Sequence, residues 1–168
     1  GVGLIAMHLA PVTKKILAVE EVGPAALEAI TAARRNKVNN ILELCADSLE
    51  GIQTFISEWG APDWVVLNPP RKGCEEKVLA NIVSKPPGRL VYVSCSPQTL
   101  ARDLNLLLSA CPDLSLKSLE PVDMFPQTEH IECLALLENR NFKKSTGKIS
   151  RGERVQSSRS RSKNKAIH

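Results

Sequence analysis

The chain has 168 residues, 43% of them hydrophobic and 24% charged, which is the size and mixture of one ordinary soluble domain. No stretch approaches the ~20 uninterrupted apolar residues of a membrane-spanning helix, and the start lacks the basic, apolar, small-residue succession of a secretory signal, so the sequence predicts an unexported, cytoplasmic protein. Five cysteines, Cys45, Cys74, Cys95, Cys111 and Cys133, are scattered without a C-x-x-C spacing, which points to free thiols in a reducing compartment and to no metal site.

Charge is divided unevenly. Residues 1–139 hold 12 Lys and Arg against 17 Asp and Glu, a net −5, whereas residues 140–168 hold 10 against a single acid, Glu153, a net +9. The second segment has one aromatic residue and few large aliphatic ones, too few to bury the apolar surface that folding needs. The organisation expected is therefore a domain over 1–139 followed by a basic, disordered tail over 140–168. Two readings stand for that tail. It is an electrostatic arm for nucleic acid, since each neutralised phosphate releases counterions, or a solvated extension with no partner.

In chain order, the sequence opens on Gly1-Val2-Gly3-Leu4-Ile5-Ala6, a G-x-G-x-x-A loop. In a nucleotide-binding α/β fold such a loop follows a strand, and its glycines let backbone approach the ligand. No strand precedes it here, so a sheet lacking its first strand, with a gap and unpaired backbone groups, is expected. Apolar runs then predict strands at Ile16–Glu20, Ile41–Asp47, Trp64–Asn68, Arg89–Cys95 and Cys133–Glu138, with a weaker one at Leu114–Leu119. Helical periodicity fills the intervals at Pro24–Arg35, Leu49–Trp59, Glu75–Val83 and Pro97–Ala110, with Pro24 and Pro97 where a first helical turn accepts proline. Alternating strands and helices read as a doubly wound α/β domain with a mainly parallel sheet.

Acids and thiols at the strand ends are the candidate functional residues. Glu20 closes its strand at the position of a ribose-hydroxyl acceptor, although an exposed strand-end charge reads the same way. Asp47 closes the next strand. The prolines of Asn68-Pro69-Pro70-Arg71-Lys72-Gly73 force a rigid exit where α/β enzymes hold ligands, or simply stop the strand. Cys95, in Val91-Tyr92-Val93-Ser94-Cys95-Ser96-Pro97, lies just before a helix N-terminus, where the dipole and free amides favour a thiolate, making it the best nucleophile candidate. Cys45, Cys111 and Cys74 read as inert small hydrophobes. The loop Asp123-Met124-Phe125-Pro126-Gln127-Thr128-Glu129-His130-Ile131-Glu132 precedes the last strand. Its Glu132 either reaches solvent at an edge or is partly desolvated for general-base work.

The succession G-x-G, V-E, N-P-P-R-K-G, V-Y-V-S-C-S-P-Q-T-L-A-R-D-L and D-M-F-P-Q-T-E-H-I-E closely resembles the RNA uracil-5-methyltransferase family, from Gly1 to about Arg140 in unbroken order. Members modify ribosomal and transfer RNA with S-adenosylmethionine. The resemblance implies a Rossmann-like, class I methyltransferase fold. It implies that Cys95 is the nucleophile adding to carbon 6 of uracil and Glu132 the base that removes the carbon 5 proton. Cofactor contacts would fall on Gly1, Gly3, Glu20 at the ribose, Asp47 on the adenine side and Asn68, whose loop would lie between cofactor and target base. The partner implied is RNA with its uridine splayed out or single-stranded.

The chain departs from the family pattern at Asn68, where aspartate is usual, at Ser96, where asparagine is common, and at Gln127, where histidine is common. With no strand before the G-x-G loop, the resemblance leads one to expect the C-terminal part of a longer enzyme. Two other readings compete with methylation of uracil: a non-catalytic RNA-binding module, and an amine methyltransferase of the N-P-P type. The second lacks the aromatic that normally follows N-P-P, because Arg71 stands there, and it leaves Cys95 without a role.

Overall fold

The computed structural model describes residues 1–124, 126–128 and 130–143, so Phe125, Glu129 and most of the basic tail expected over 140–168 lie outside the described residues. The elements in order are α1 (Leu4–Leu9), a 3-10 turn (Ala10–Val12), β1 (Ile16–Glu20), α2 (Gly23–Arg35), β2 (Ile41–Cys45), α3 (Ser48–Trp59), β3 (Trp64–Leu67), α4 (Glu76–Ser84), β4 (Arg89–Ser94), α5 (Pro97–Ala110), β5 (Leu114–Val122) and β6 (Glu132–Asn139). The α/β alternation is as expected, and α5 has both of its expected ends. The six-residue α1 was not anticipated, since one and a half turns are too short to establish a period.

Boundaries moved where a local interaction outranked apolar character. β2 stops at Cys45 rather than Asp47, because Asp47 turns out of the strand and its Oδ1 accepts the Glu50 N–H at 2.9 Å as the N-cap of α3. β3 stops at Leu67, before two prolines that cannot supply ladder donors. β5 runs three residues longer than expected, to Val122, and its outer residues are largely exposed. It is an edge strand, which is why Pro121 and a register shift between Leu116 and Ser118 are accommodated.

The sheet arrangement matches the expectation of mainly parallel strands except at β6. β1 and β2 pair in parallel, from Ile16 opposite Ile41 to Glu20 opposite Cys45. A second sheet has the order β3-β4-β6-β5; β3 and β4 are parallel, but β6 runs antiparallel to both of its neighbours. The physical reason is the connection. The described residues between β5 and β6 hold no helix, and a strand joined by a short connection returns antiparallel to its neighbour. Among the described residues no strand pairing joins the two sheets.

Helices supply the continuity that strand pairing does not. α3 contacts β1 on one side and α4 on the other. Its approach to β1 depends on Gly51, since a Cβ there would stand 2.5 Å from Val19 Cγ2. α4 and α5 share one core with the second sheet, built from Val78, Leu79, Ile82, Leu100, Leu104 and Leu107 against Leu90, Tyr92, Ala135 and Leu137. Each fully buried leucine of this core contributes roughly 1.5–3 kcal/mol of apolar burial. Among the described residues no helix is long and apolar enough to cross a membrane.

Candidate active site

The site is set by strand register. The last pair along β4 and β6 is Ser94 opposite Cys133, and both are buried. Cys95 follows Ser94 directly, and Glu132 precedes Cys133 directly as the first residue of β6. The pairing of Ser94 with Cys133 thus brings both candidates to the same end of the β4–β6 pair. Both are half-buried, which leaves them within reach of a ligand. β3 ends at Leu67 opposite Tyr92, and the exposed Asn68 follows it. Residues far apart in sequence thus lie at the ends of three adjacent strands.

The turn that carries Cys95 is fixed from both sides. Ser94 Oγ donates to the Ser96 carbonyl at 3.0 Å and accepts the Ser96 N–H at 3.1 Å, spanning the cysteine between them. Ser96 is the N-cap of α5, its Oγ accepting the Thr99 N–H at 3.5 Å, and Pro97 follows in the first turn. Cys95 is a free thiol one residue ahead of the cap of a 14-residue helix. The asparagine that the resemblance leads one to expect is thus replaced by Ser96 without loss of a cap.

On the Asn68 side, the Gly73 N–H closes a turn onto the Pro70 carbonyl at 2.9 Å. The Arg71 guanidinium donates to the His130 ring at 3.2 Å, joining this loop to the segment that enters β6. In that segment Gln127 takes φ 67° after Pro126, the pattern of a turn that prefers glycine at its third position. Cys74 lies next in the loop, and burial pushes its thiol pKa up, the nearby Asp103 carboxylate adding to the effect. That agrees with an inert role for Cys74.

The G-x-G loop and Glu20 meet beside α2. Gly3 takes φ +80°, and a Cβ on it would stand 2.9 Å from Ala29 Cβ, so only glycine permits this approach. Nothing lies within 4 Å of the Cβ position of Gly1. One Glu20 oxygen contacts the Gly1 amine and the other accepts the Val22 N–H at 2.8 Å. Glu43, which the sequence did not single out, lies near Gly3, with its pKa raised by burial and lowered in part by the Gly1 amine. A strand-end carboxylate with two acceptor oxygens beside open glycine backbone suits the vicinal hydroxyls of a nucleoside. Asp47 has the capping role described above and is otherwise exposed.

A further set of residues was missed by the sequence reading. Asp103 on α5 is completely buried, and its Oδ2 accepts the Tyr92 hydroxyl of β4 and, at 2.7 Å, the Cys74 N–H. Its Oδ1 pairs with the Arg102 guanidinium at 2.7 Å. Asp103 falls on the stripe of Leu100, Leu104 and Leu107, and an acid on an apolar stripe was the available signal. Among the described residues no group of three or more His, Cys, Asp or Glu side chains could hold a metal ion.

A family model described as tRNA (uracil-5-)-methyltransferase matches residues 1–140. An RNA methyltransferase of Geobacter sulfurreducens, itself described as uncharacterised, is 40% identical across 100% of this chain and 32% of its own length. One from Thermosynechococcus vestitus, also described as uncharacterised, is 42% identical over 137 residues, 82% of this chain and 30% of its own. Among solved structures, the Pyrococcus abyssi tRNA (uracil-54, C5)-methyltransferase in complex with S-adenosyl-L-homocysteine has a TM-score of 0.68 and 29% identity, covering 82% of this chain and 31% of that one. The N-methyltransferase NodS of Bradyrhizobium japonicum, at 18% identity and a TM-score of 0.62 over 83% of this chain and 81% of its own, shares the fold alone. The fold is the Rossmann-like one of class I methyltransferases. The chain spans about a third of the length of the curated relatives it matches.

Proposed function

Because the chain belongs to the tRNA (uracil-5-)-methyltransferase family, we propose that it is the catalytic part of an enzyme that uses S-adenosylmethionine to convert uridine to 5-methyluridine in ribosomal or transfer RNA. The observation that supports this reading is the pairing of Ser94 with Cys133, which brings their sequence neighbours Cys95 and Glu132 to one end of β4 and β6, with the Asn68 loop following the neighbouring β3. An amine methyltransferase has no use for a thiol and a carboxylate so placed.

Carbon 5 of uracil is too weak a nucleophile to be alkylated unaided. Addition of the Cys95 thiolate to carbon 6 moves the ring electrons toward carbon 5 and the adjacent carbonyl oxygen, giving an enolate. S-adenosylmethionine, when bound, supplies the electrophilic methyl group. Glu132 then takes the proton from the methylated carbon 5, the carbon 5 to carbon 6 double bond re-forms, and the Cys95 thiolate leaves. Asn68 offers the base edge one acceptor and one amide donor group in place of a charge. Gly1, Gly3, Glu20 and Asp47 are the residues that would hold the cofactor, with Asn68 between it and the uracil. A paired uracil is out of reach of all of them, so the substrate base is flipped out or unpaired. The net +9 of residues 140–168 supports a role as an electrostatic arm whose contribution to RNA affinity falls as salt rises.

The test uses RNA carrying 5-fluorouridine. A fluorine at carbon 5 cannot be removed by the base, so the protein with S-adenosylmethionine should be trapped as a covalent complex that survives denaturation. Cys95→Ala should form none and should lose methyl transfer to uridine. Trapping or full activity in Cys95→Ala would overturn the assignment. Calorimetric titration of S-adenosylmethionine into wild type and Glu20→Ala tests the cofactor side separately, with saturable binding expected only in the former.

A further inference from the structure

Three polar side chains on two successive turns of α5 each grip a different part of the Asn68 loop. Thr99 Oγ1 donates to the Arg71 carbonyl at 3.1 Å, and Arg102 Nη2 donates to the Lys72 carbonyl at 2.9 Å. Asp103 accepts the Cys74 N–H at 2.7 Å. Between these grips Gly73 takes φ +80°, and its missing side chain makes the room: a Cβ would stand 2.5 Å from Arg102 Nη2 and 2.6 Å from Asp103 Oδ2.

Core packing does not explain this arrangement. Leu100, Leu104 and Leu107 occupy the same stripe, and a further apolar residue at 103 would join them without the cost of desolvating a carboxylate. That carboxylate is instead satisfied from three directions. Its donors are the Tyr92 hydroxyl from β4, the Cys74 N–H from the loop and the Arg102 guanidinium from its own helix. The helix begins two residues after Cys95, so whatever ties the loop to α5 also sets the loop's distance from the nucleophile turn. Arg71, held through its carbonyl by Thr99, then reaches His130 in the segment leading to Glu132.

We propose that Asp103, with Arg102 and Thr99, is a positioning residue that locks the 71–74 backbone to α5 and so fixes Asn68 and Arg71 relative to Cys95. The consequence for catalysis rests on the assignment of Cys95 as nucleophile. The lock itself does not.

Two variants test it: Asp103→Asn, which keeps the shape but loses the charge, and Arg102→Gln, whose half-exposed side chain is not needed to fill the core. The first readout is amide hydrogen exchange in the protein alone. In both variants the Cys74 amide should exchange about tenfold faster, the worth of one charge-assisted hydrogen bond, while the Leu90 and Tyr92 amides of β4 keep their protection. The second is methyl transfer to uridine RNA, where kcat should fall about 100-fold with the KM for S-adenosylmethionine unchanged. Unchanged Cys74 exchange with wild-type kcat would overturn the proposal. So would exchange that accelerates equally across β4, which marks a merely structural role. If Asp103→Asn does not fold, Arg102→Gln decides. If the wild-type protein neither transfers a methyl group nor forms the 5-fluorouridine adduct, the active-site reading fails, and Cys74 exchange alone upholds or overturns the lock.

Discussion

Replacing Gly73 by alanine separates two costs that the structure allows to be sized. The first is backbone strain: at φ +80° an L residue is in the left-handed region, worth roughly 1–2 kcal/mol. The second is steric. The new Cβ would meet Arg102 Nη2 at 2.5 Å and Asp103 Oδ2 at 2.6 Å, and these neighbours differ in what they can do. The Arg102 side chain is half exposed and its tip can swing into solvent, whereas Asp103 is buried and held by the Tyr92 hydroxyl and the Cys74 N–H. The immobile neighbour decides the outcome, at the roughly 1–3 kcal/mol typical of overpacking. Together the two give a loss of about 3 kcal/mol, read as a lower urea midpoint at unchanged m-value. Gly23→Ala is the control: it lies in the first turn of α2 with nothing within 4 Å of its Cβ position, and should be neutral or gain up to about 1 kcal/mol. A cost below about 1 kcal/mol for Gly73→Ala would refute both the strain and the close packing of this loop on Asp103.

Two further outcomes follow from burial. Tyr92 is the sole tyrosine of the chain, and its hydroxyl pKa is raised far above the usual value, first by burial and then by donation to Asp103. Above about pH 10 the unfolded chain releases this proton while the folded one keeps it, so stability present below that pH is lost as pH rises. Phenolate absorbance should therefore appear only with unfolding. Tyr92→Phe should flatten this alkaline limb and cost about 1.5–3 kcal/mol at neutral pH, and a phenolate signal in the folded protein would refute the buried donor. Among the thiols, Cys45 is exposed, whereas Cys111 and Cys133 are buried and the Cys74 pKa is raised by burial. Mild alkylation followed by peptide mapping should label Cys45 well before those three, and labelling of Cys74 as fast as Cys45 would count against its burial.

What the sequence made legible was whatever local chemistry dictates. α5 was readable at both ends because Pro97 fits a first turn and Leu100, Leu104 and Leu107 repeat at helical spacing. Strand positions were readable from apolar runs, but strand direction was not, since an alternating pattern is the same read either way. The antiparallel entry of β6 goes with the short connection after β5, which leaves no room for a crossover helix. Asp47 ends an apolar run and so reads as a strand end, yet Asp47-Ser48-Leu49-Glu50 is also the pattern of a capped helix start. The structure gives its carboxylate that capping role.

The site shows the sharper limit. Cys95 and Glu132 are readable one at a time, as a thiol before a helix and an acid opening a strand, but that both lie at one end of the β4–β6 pair follows only from the pairing of Ser94 with Cys133. Asp103 was harder still. An acid in a leucine-rich helix is ordinarily turned to solvent, and its period placed it on the apolar stripe without saying what would satisfy it there. The donors that make burial tolerable come from Tyr92, 11 residues earlier, and Cys74, 29 residues earlier, across two other segments. A buried charge is sustained by partners that only the tertiary fold assembles. Positions of this kind are therefore the least visible in a sequence and the most sensitive to how the site's loops are held.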